Sequence, residues 1–428
     1  MGEPASVSDR WISITAWSAI GLIVVVAMLK SWSTEGLAPA EPSLRGVVAQ
    51  IRVATGIYHL FGSASAEQYW PHGSHTPRIQ AAIAVGAGER DGTAQALAGL
   101  NAITADDAAF QRDLDMLKAC YAGESRDHQA LNQAWGWIGD LAAVHALPST
   151  DAQRIIVIQS AKHSATRLLS GLMMGGLIFV VGCVLAVLAW IRWEKGRLPM
   201  ALRAPDGNAA CLQSFALYML AFLGFGEALH ALYESPSLSM TWLFFPIAIA
   251  IVWLPVRHYS WSWPDLRHAI GLHAGKGAWY EMRAGLLGYL CGLPIMAVGF
   301  VLTAQLTKWF PANHPMSNEL MANAESWMGV GALLALAAGF APLVEETMFR
   351  GFLLHHLRRY GLVAAVLGSS FIFAVMHPQG IAGVPVLTSI ATVFALIRIW
   401  RGSLIASVTA HALHNGTLVV VMIVVLRG

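Results

Sequence analysis

The stretch Val344-Glu345-Glu346-Thr347-Met348-Phe349-Arg350 places two adjacent carboxylates and a guanidinium in one of the most apolar parts of the chain. A charge at membrane depth costs about 2.5–3.5 kcal/mol on insertion scales, so such residues face a cavity, a partner or chemistry. Side-by-side carboxylates also disfavour each other's ionisation. On a helix, residues four apart share a face, so Glu346 is the expected ion-pair partner of Arg350. Glu345 points about 100° away and is left for another task. Three more polar residues stand out in the last third of the chain: His377, His411 and Asn415. His411 and Asn415 are again four apart and share a face.

These residue types suffice for peptide-bond hydrolysis. Burial pushes a carboxylate toward its neutral form, which suits a general base working near neutral pH. A histidine beside it can share the attacking water, and a second histidine with an asparagine amide can donate to a developing oxyanion. Glu345, His377 and His411 could instead supply three ligands of a catalytic zinc. No HExxH motif is present and Asn415 is a poor zinc ligand, so hydrolysis without metal or other cofactor is the preferred reading.

Such a cluster needs helices that bring its members to one depth. Of the 428 residues, 56% are hydrophobic and only 12% charged, with a mean hydropathy of +0.55. A soluble domain carries about 25% charged residues. The composition predicts an all-α, polytopic membrane protein, and the net charge of +2 is too small to point to nucleic acid. Apolar runs predict about nine transmembrane helices, at 11–29, 168–191, 211–232, 238–255, 282–306, 330–358, 361–377, 384–400 and 403–426. The 330–358 run is too long for a simple span and carries Glu345 and Glu346 in its middle. Glu345 precedes Arg359 by ~21 Å of helix, His377 follows Tyr360 by ~25 Å, and His411 and Asn415 follow Gly402 by ~14 and ~20 Å, at 1.5 Å per residue. All lie within the hydrocarbon core, at depths compatible with one cluster.

Three parts are expected: a membrane anchor helix over 1–30, a soluble and mainly helical insert over 31–166, and an eight-helix membrane domain over 167–428. The first apolar run is longer than a signal-peptide core, and Ala38-Pro39-Ala40 lies well beyond its end, so an uncleaved anchor is expected. In the insert, Phe110, Leu114, Leu117 and Cys120 recur at helical intervals between charges within Asp106–Tyr121. Gln133–His145 and Ala152–Thr166 also read as helices, the latter after the break Pro148-Ser149-Thr150-Asp151. No catalytic constellation appears there, and His72 and His75 read as exposed loop histidines rather than a metal site. Cys120, Cys183, Cys211 and Cys291 form no disulfide framework.

Lys and Arg cluster in alternate loops: Arg192, Lys195, Arg197 and Arg203; Arg257, Arg267 and Lys276; Arg358 and Arg359; Arg398 and Arg401. The positive-inside rule then puts those loops and the N-terminus in the cytoplasm, and the C-terminus and insert outside. The expected location is a bacterial inner membrane. An unpaired Cys120 in an oxidising compartment runs mildly against this orientation.

As a set, Glu345-Glu346-x-x-x-Arg350, Phe373-x-x-x-His377 and His411-x-x-x-Asn415 resemble the motifs of the CAAX prenyl endopeptidase and bacteriocin-processing (abortive-infection) family of intramembrane proteases. The resemblance covers roughly 260–428. It implies an intramembrane endopeptidase in which Glu345 and His377 activate water, His411 and Asn415 form the oxyanion site, and Glu346 and Arg350 support them. It implies a peptide or protein substrate, lipidated or membrane-embedded, met among membrane lipids. Two other functions fit the residues. One is a non-catalytic membrane scaffold or immunity-type protein that binds a partner through the insert. The other is a proton-coupled transporter, against which no inverted repeat is visible. Several residues have bland readings: Phe373 as packing, His355 and His356 as interfacial beside Arg358, His414 as a lesser substitute for His411, Glu227 and His230 as bystanders, and Trp11, Trp193, Trp242, Trp253 and Trp400 as an interfacial belt.

Overall fold

A computed structural model of the chain describes residues 7–32, 43–71, 75–105, 107–198, 200–201, 209–233, 244–259, 261–310, 326–377 and 379–427. Among them all regular structure is helical. His72, Asp106, Arg203, Trp242 and the side chain of His230 lie outside the described residues. The chain divides into two compact units, Met1–Pro39 with Leu177–Val420, and Ala40–Gly176 with Val421–Gly428.

The second unit contains the insert. Its helices are α2 (Leu44–Phe61), α3 (Pro77–Asp91), α4 (Thr93–Asn101), α5 (Ala108–Ala122), α6 (His128–Trp135), α7 (Trp137–Val144) and the start of α8 (Ala152–Glu194). Helix α5 shows why the sequence folds this way. Asp107 Oδ1 accepts from the backbone of Ala109 and Phe110, satisfying two free N–H groups, and Gly123 closes the other end at φ 80°. Phe110, Leu114, Leu117 and Cys120 are all buried, as their spacing predicts. The expected single helix over Gln133–His145 is instead two, because Gly136 sits at φ 57° and ψ −134° and breaks it into α6 and α7. Helix α8 does start after the Pro148 break, capped by Asp151, whose Oδ1 accepts from Gln153 N at 2.8 Å. It then continues without interruption for 43 residues, past the expected boundary near 166.

The first unit contains α1 (Val7–Trp32), the rest of α8, α9 (Ala210–Leu232), α10 (Phe244–His258), α11 (Trp263–Ile270), α12 (Ala278–Leu306), α13 (Trp327–Tyr360), α14 (Leu362–Val375), α15 (Gly380–Arg401) and, up to Val420, α16 (Leu404–Arg427). Among the described residues, six helices are long and apolar enough to cross a membrane: α8, α9, α12, α13, α15 and α16. Ser13–Leu29 and Leu362–Val375 are apolar but shorter. Trp11, Trp193 and Trp253 are exposed, as side chains of an interfacial belt would be.

Helix α15 is the centre of this unit. Half of its apolar stretch is buried inside the protein, against 6% for α8, and it packs between α12 and α14. Gly292 and Gly299 let α12 approach closely, since a Cβ at either would run into Val393 or Ser389. Helix α1 is more than a tether: Ala16, Ile20 and Ile23 are buried in one core with Phe215 on α9 and with Phe349, Phe352 and Phe373.

The helix bearing Glu345 and Glu346 is a single element of 34 residues, as the length of the apolar run predicts. It is not a uniform α-helix. Ala335–Phe340 and Glu346–Leu353 are π-helical, separated by an α-helical turn at Ala341–Glu345. Short π stretches inside α-helices often mark functional sites.

Candidate active site

Glu346 and Arg350 form the expected pair, with Arg350 Nη1 3.0 Å from Glu346 Oε1 and both side chains essentially unexposed. The guanidinium is further fixed by a hydrogen bond from Nη2 to Ala391 O at 3.1 Å. It lies over the Phe373 ring at 4.5 Å and the Phe394 ring at 5.5 Å. Desolvation of two charges is offset here by the ion pair, a carbonyl and two aromatic faces.

His411 joins this pair. Its Nδ1 is 3.0 Å from Glu346 Oε1, and its ring stacks on Phe394 at 4.8 Å. The start of α16 holds it in place. Gly402 at φ 71° turns the chain out of α15, Leu404 N donates to Gly271 O at 2.9 Å, and Ser403 Oγ donates to His273 O at 2.7 Å. A carboxylate kept ionised by arginine only accepts, so Nδ1 of His411 carries a proton and Nε2 faces away from Glu346. Nε2 is 3.7 Å from Glu345 Oε2.

His377 reaches the same oxygen, with Nε2 3.9 Å from Glu345 Oε2. It sits just past the end of α14, not within a span. Its Nδ1 donates to Phe373 O at 2.7 Å, satisfying a carbonyl that the helix end would leave without a partner. With Nδ1 committed to that carbonyl, Nε2 is the ring atom that faces Glu345. Phe373 packs against His377 with ring centroids 4.2 Å apart and meets Phe349 edge-on at 5.0 Å, so it is the packing residue its position suggests.

Glu345, His377 and His411 thus converge on one point. Separations of 3.7 and 3.9 Å are too long for direct hydrogen bonds, and a water seated to one side of the three atoms reaches each of them at hydrogen-bond distance. Glu345 and His377 are about a quarter exposed, whereas His411 and Glu346 are buried behind them. A tetrahedral zinc would hold its donor atoms about 3.3 Å apart. Among the described residues, no group of three or more His, Cys, Asp or Glu side chains is arranged to hold a metal ion.

Asn415 is placed differently. Its Nδ2 donates to Ala337 O at 2.8 Å, in the first π stretch. There the Ala341 N–H reaches back five residues to Leu336 O. The next donor in that register would be residue 342, which is proline and has no N–H to give. Asn415 therefore satisfies a carbonyl that Pro342 strands. A proline three residues before Glu345 was the available sequence signal for this irregularity. Phe394, which bridges Arg350 and His411, carried no such signal.

The neighbouring histidines sort clearly. His414 turns away from the carboxylates, with Nδ1 3.2 Å from Tyr289 Oη. His355 and His356, expected at the interface, are buried instead, at 8% and 1% exposure, with α9 and α14 packed against that end of α13. His356 meets Trp17 of α1 with ring centroids 5.9 Å apart. Arg398 and Arg401, read as loop cations, are also drawn inward: Arg398 Nη2 donates to Ala269 O, and Arg401 makes a two-pronged pair with Glu281.

Residues 327–417 match the family model described as type II CAAX prenyl endopeptidase Rce1-like. This segment is an Rce1-like domain. It begins with α13 and ends two residues beyond Asn415, so it contains Glu345, Glu346, Arg350, His377, His411 and Asn415. The family is that of CAAX proteases embedded in membranes, in keeping with the long apolar helices of this chain. The Rce1-like domain leaves out α1, the insert and α8 to α12. No curated protein and no solved structure matches the chain.

Proposed function

We propose that the protein is an intramembrane endopeptidase of the CAAX type, with Glu345 as its general base. The observation that carries this reading is the convergence of His377 Nε2 and His411 Nε2 on Glu345 Oε2. Water in that gap gives a proton to Glu345 while its oxygen, oriented by His377, attacks the scissile carbonyl. The developing oxyanion is met by Nε2–H of His411, acting as an imidazolium whose Nδ1–H stays on Glu346, and by the amide hydrogen of Asn415 that Ala337 O does not use. As the C–N bond breaks, the proton on Glu345 passes to the leaving amine, and the carboxylate is restored. Glu346 and Arg350 take no part in bond making; they orient His411 and hold the π-helical stretch. Each step uses this chain's own side chains, and we infer hydrolysis without metal.

The substrate is a peptide or protein, lipidated or membrane-embedded, reached from the membrane or the cytoplasmic face. The chain is an integral membrane protein. Nine spans, counting α1, α10 and α14, an N-terminus in the cytoplasm, a C-terminus outside, and a bacterial inner membrane complete the proposal. So does a three-part organisation of anchor, insert and eight-helix domain.

The test is cleavage of farnesylated and unmodified CAAX peptides by the purified protein in detergent. Wild type is expected to cleave at least one of them, and Glu345→Gln to lose activity by about 10²-fold or more, as loss of a general base does. A wild-type rate in Glu345→Gln, or no cleavage by wild type, overturns the reading. Activity that survives a strong zinc chelator supports hydrolysis without metal. Activity lost to the chelator and restored by zinc refutes that part.

A further inference from the structure

We propose that Phe394, on α15, is a positioning residue for His411: its ring sets the plane of the imidazole and its π face holds the imidazolium that meets the oxyanion. The proposal rests on the peptidase reading above. Phe394 belongs to none of the three motifs that carry that reading.

The contact is direct. The rings of Phe394 and His411 are stacked, with centroids 4.8 Å apart and planes 25° from parallel. The bond between Nδ1 and Glu346 Oε1 fixes one atom of the imidazole but not the plane of its ring. The stack fixes the plane, and so keeps Nε2 on the side of Glu345 Oε2. Phe373 limits a second direction, meeting the same imidazole edge-on at 6.0 Å.

Phe394 cannot retreat from this contact. It is fully buried, in a core with Ile390 and Ile397 of α15 and with Ala406 and Ala410 of α16. Its neighbour Val393 is held from behind by α12, where Gly292 approaches so closely that a Cβ would collide with it. The ring is thus built into the α12–α15–α16 packing and reaches the site from there.

The chemistry of the face suits the charge it meets. An aromatic face attracts a cation within about 6 Å of its centroid, most strongly where water is excluded. His411 is 3% exposed, so water does little to solvate an imidazolium there. Arg350 also lies within reach at 5.5 Å, but it is nearer to Phe373 at 4.5 Å and is tied to Ala391 O. His414 stands 6.4 Å away with its plane at 69°, and its Nδ1 is directed to Tyr289. Of the two histidines beside Phe394, His411 is the one stacked on its face.

Replacing Phe394 by mono-, di- and trifluorinated phenylalanine keeps the ring and drains its π face stepwise. With a farnesylated CAAX peptide as probe, kcat should fall with each fluorine. The total loss should reach about 10-fold, the size of one buried cation–π contact. KM should stay within about twofold, and the melting temperature within ~2 °C of wild type. On a His411→Gln background, which has no imidazolium, the same series should be flat. Phe394→Leu, which also deletes packing, should lower the melting temperature as well as kcat. If Glu345→Gln is inactive while the fluorinated series keeps the wild-type kcat, this inference is wrong and the peptidase reading stands. An equal fall on the His411→Gln background assigns the effect to Arg350, and a fall only in step with melting temperature assigns it to packing. Either result overturns the inference. A wild-type rate in Glu345→Gln overturns the peptidase reading and this inference with it.

Discussion

The protein contains the same arrangement of side chains twice. In the insert, Glu89 lies between Arg154 Nη2 at 2.5 Å and His59 Nε2 at 2.9 Å. In the membrane unit, Glu346 lies between Arg350 Nη1 and His411 Nδ1, both at 3.0 Å. Both carboxylates are almost wholly buried. The difference is what stands beyond the histidine. Arg154 spends its other nitrogen on Val144 O and His145 O, so the Glu89 cluster ties α3 to the α7–α8 connection. Beyond His411 stands Glu345, partly exposed and faced by a second imidazole. An Arg–Glu–His cluster by itself is scaffolding. A second carboxylate, held off hydrogen-bond distance and open to a water or a peptide, makes the membrane copy a candidate for chemistry.

The contrast can be broken experimentally, the strongest test being on the two histidines. His411→Ala should cost about 10²–10⁴ in peptidase rate, as removal of a group acting in proton transfer or oxyanion binding does, while His59→Ala should leave the rate unchanged. Equal losses would show that both clusters are merely structural. The arginines come next. Arg350→Ala leaves Glu346 buried without its counter-charge and should destabilise by about 3–5 kcal/mol. Arg154→Ala, at a site 15% exposed where His59 still meets Glu89, should cost less, about 1–3 kcal/mol by thermal or denaturant unfolding. A smaller effect is expected of Asn415→Asp, which keeps the shape but cannot donate to Ala337 O. It should destabilise by about 1–3 kcal/mol, the cost of a buried carbonyl left unmet, and a pre-stabilising Pro342→Ala change should reduce that cost.

The smallest effect is a pH dependence in the insert. Burial holds His145 below its ordinary value of 6.5, against the opposing hydrogen bond of Nδ1 to Ala142 O at 2.7 Å. The unfolded chain then binds this proton more readily than the folded one. The contribution is present above pH 6.5 and is lost as pH falls through the lower, folded value. Amide exchange around Ala142–His145, corrected for its intrinsic rate, should rise on acidification, and His145→Gln should flatten that response. No matching response is expected near Cys120. Its thiol is raised by burial and donates to Ala142 O at 3.3 Å, so it stays neutral and inert, which answers the concern that an unpaired thiol raises for an oxidising compartment.

Much of the site was legible because its strongest signals are local. The four-residue step from Glu346 to Arg350 encodes a neighbour on a helix, and it survives even though Glu346–Leu353 is π-helical. The length of the apolar run placed Glu345 inside one long helix instead of at its end. The periodicity of Phe110, Leu114, Leu117 and Cys120 named the buried face of α5. Other readings failed where a distant partner intervened. The basic residues around His355 and His356 suggested an interface, yet both histidines are buried inside the protein, His356 against Trp17 of α1. Arg398 looked like a cytoplasmic loop charge, yet it is fully buried against Ala269 O and Gly271. A hydrophobic pattern reports which residues avoid water, and it cannot report which polar atom another helix will offer them.

From sequence alone came the class of the molecule, the Rce1-like motif set, and the pairing of Glu346 with Arg350. These depend on composition and on spacing within single helices, which the chain carries locally. Only the tertiary structure showed that His377 and His411 turn their Nε2 atoms toward one oxygen of Glu345, and that Asn415 serves the carbonyl stranded by Pro342. Each depends on the register between helices far apart in the chain, which packing sets and no local spacing records.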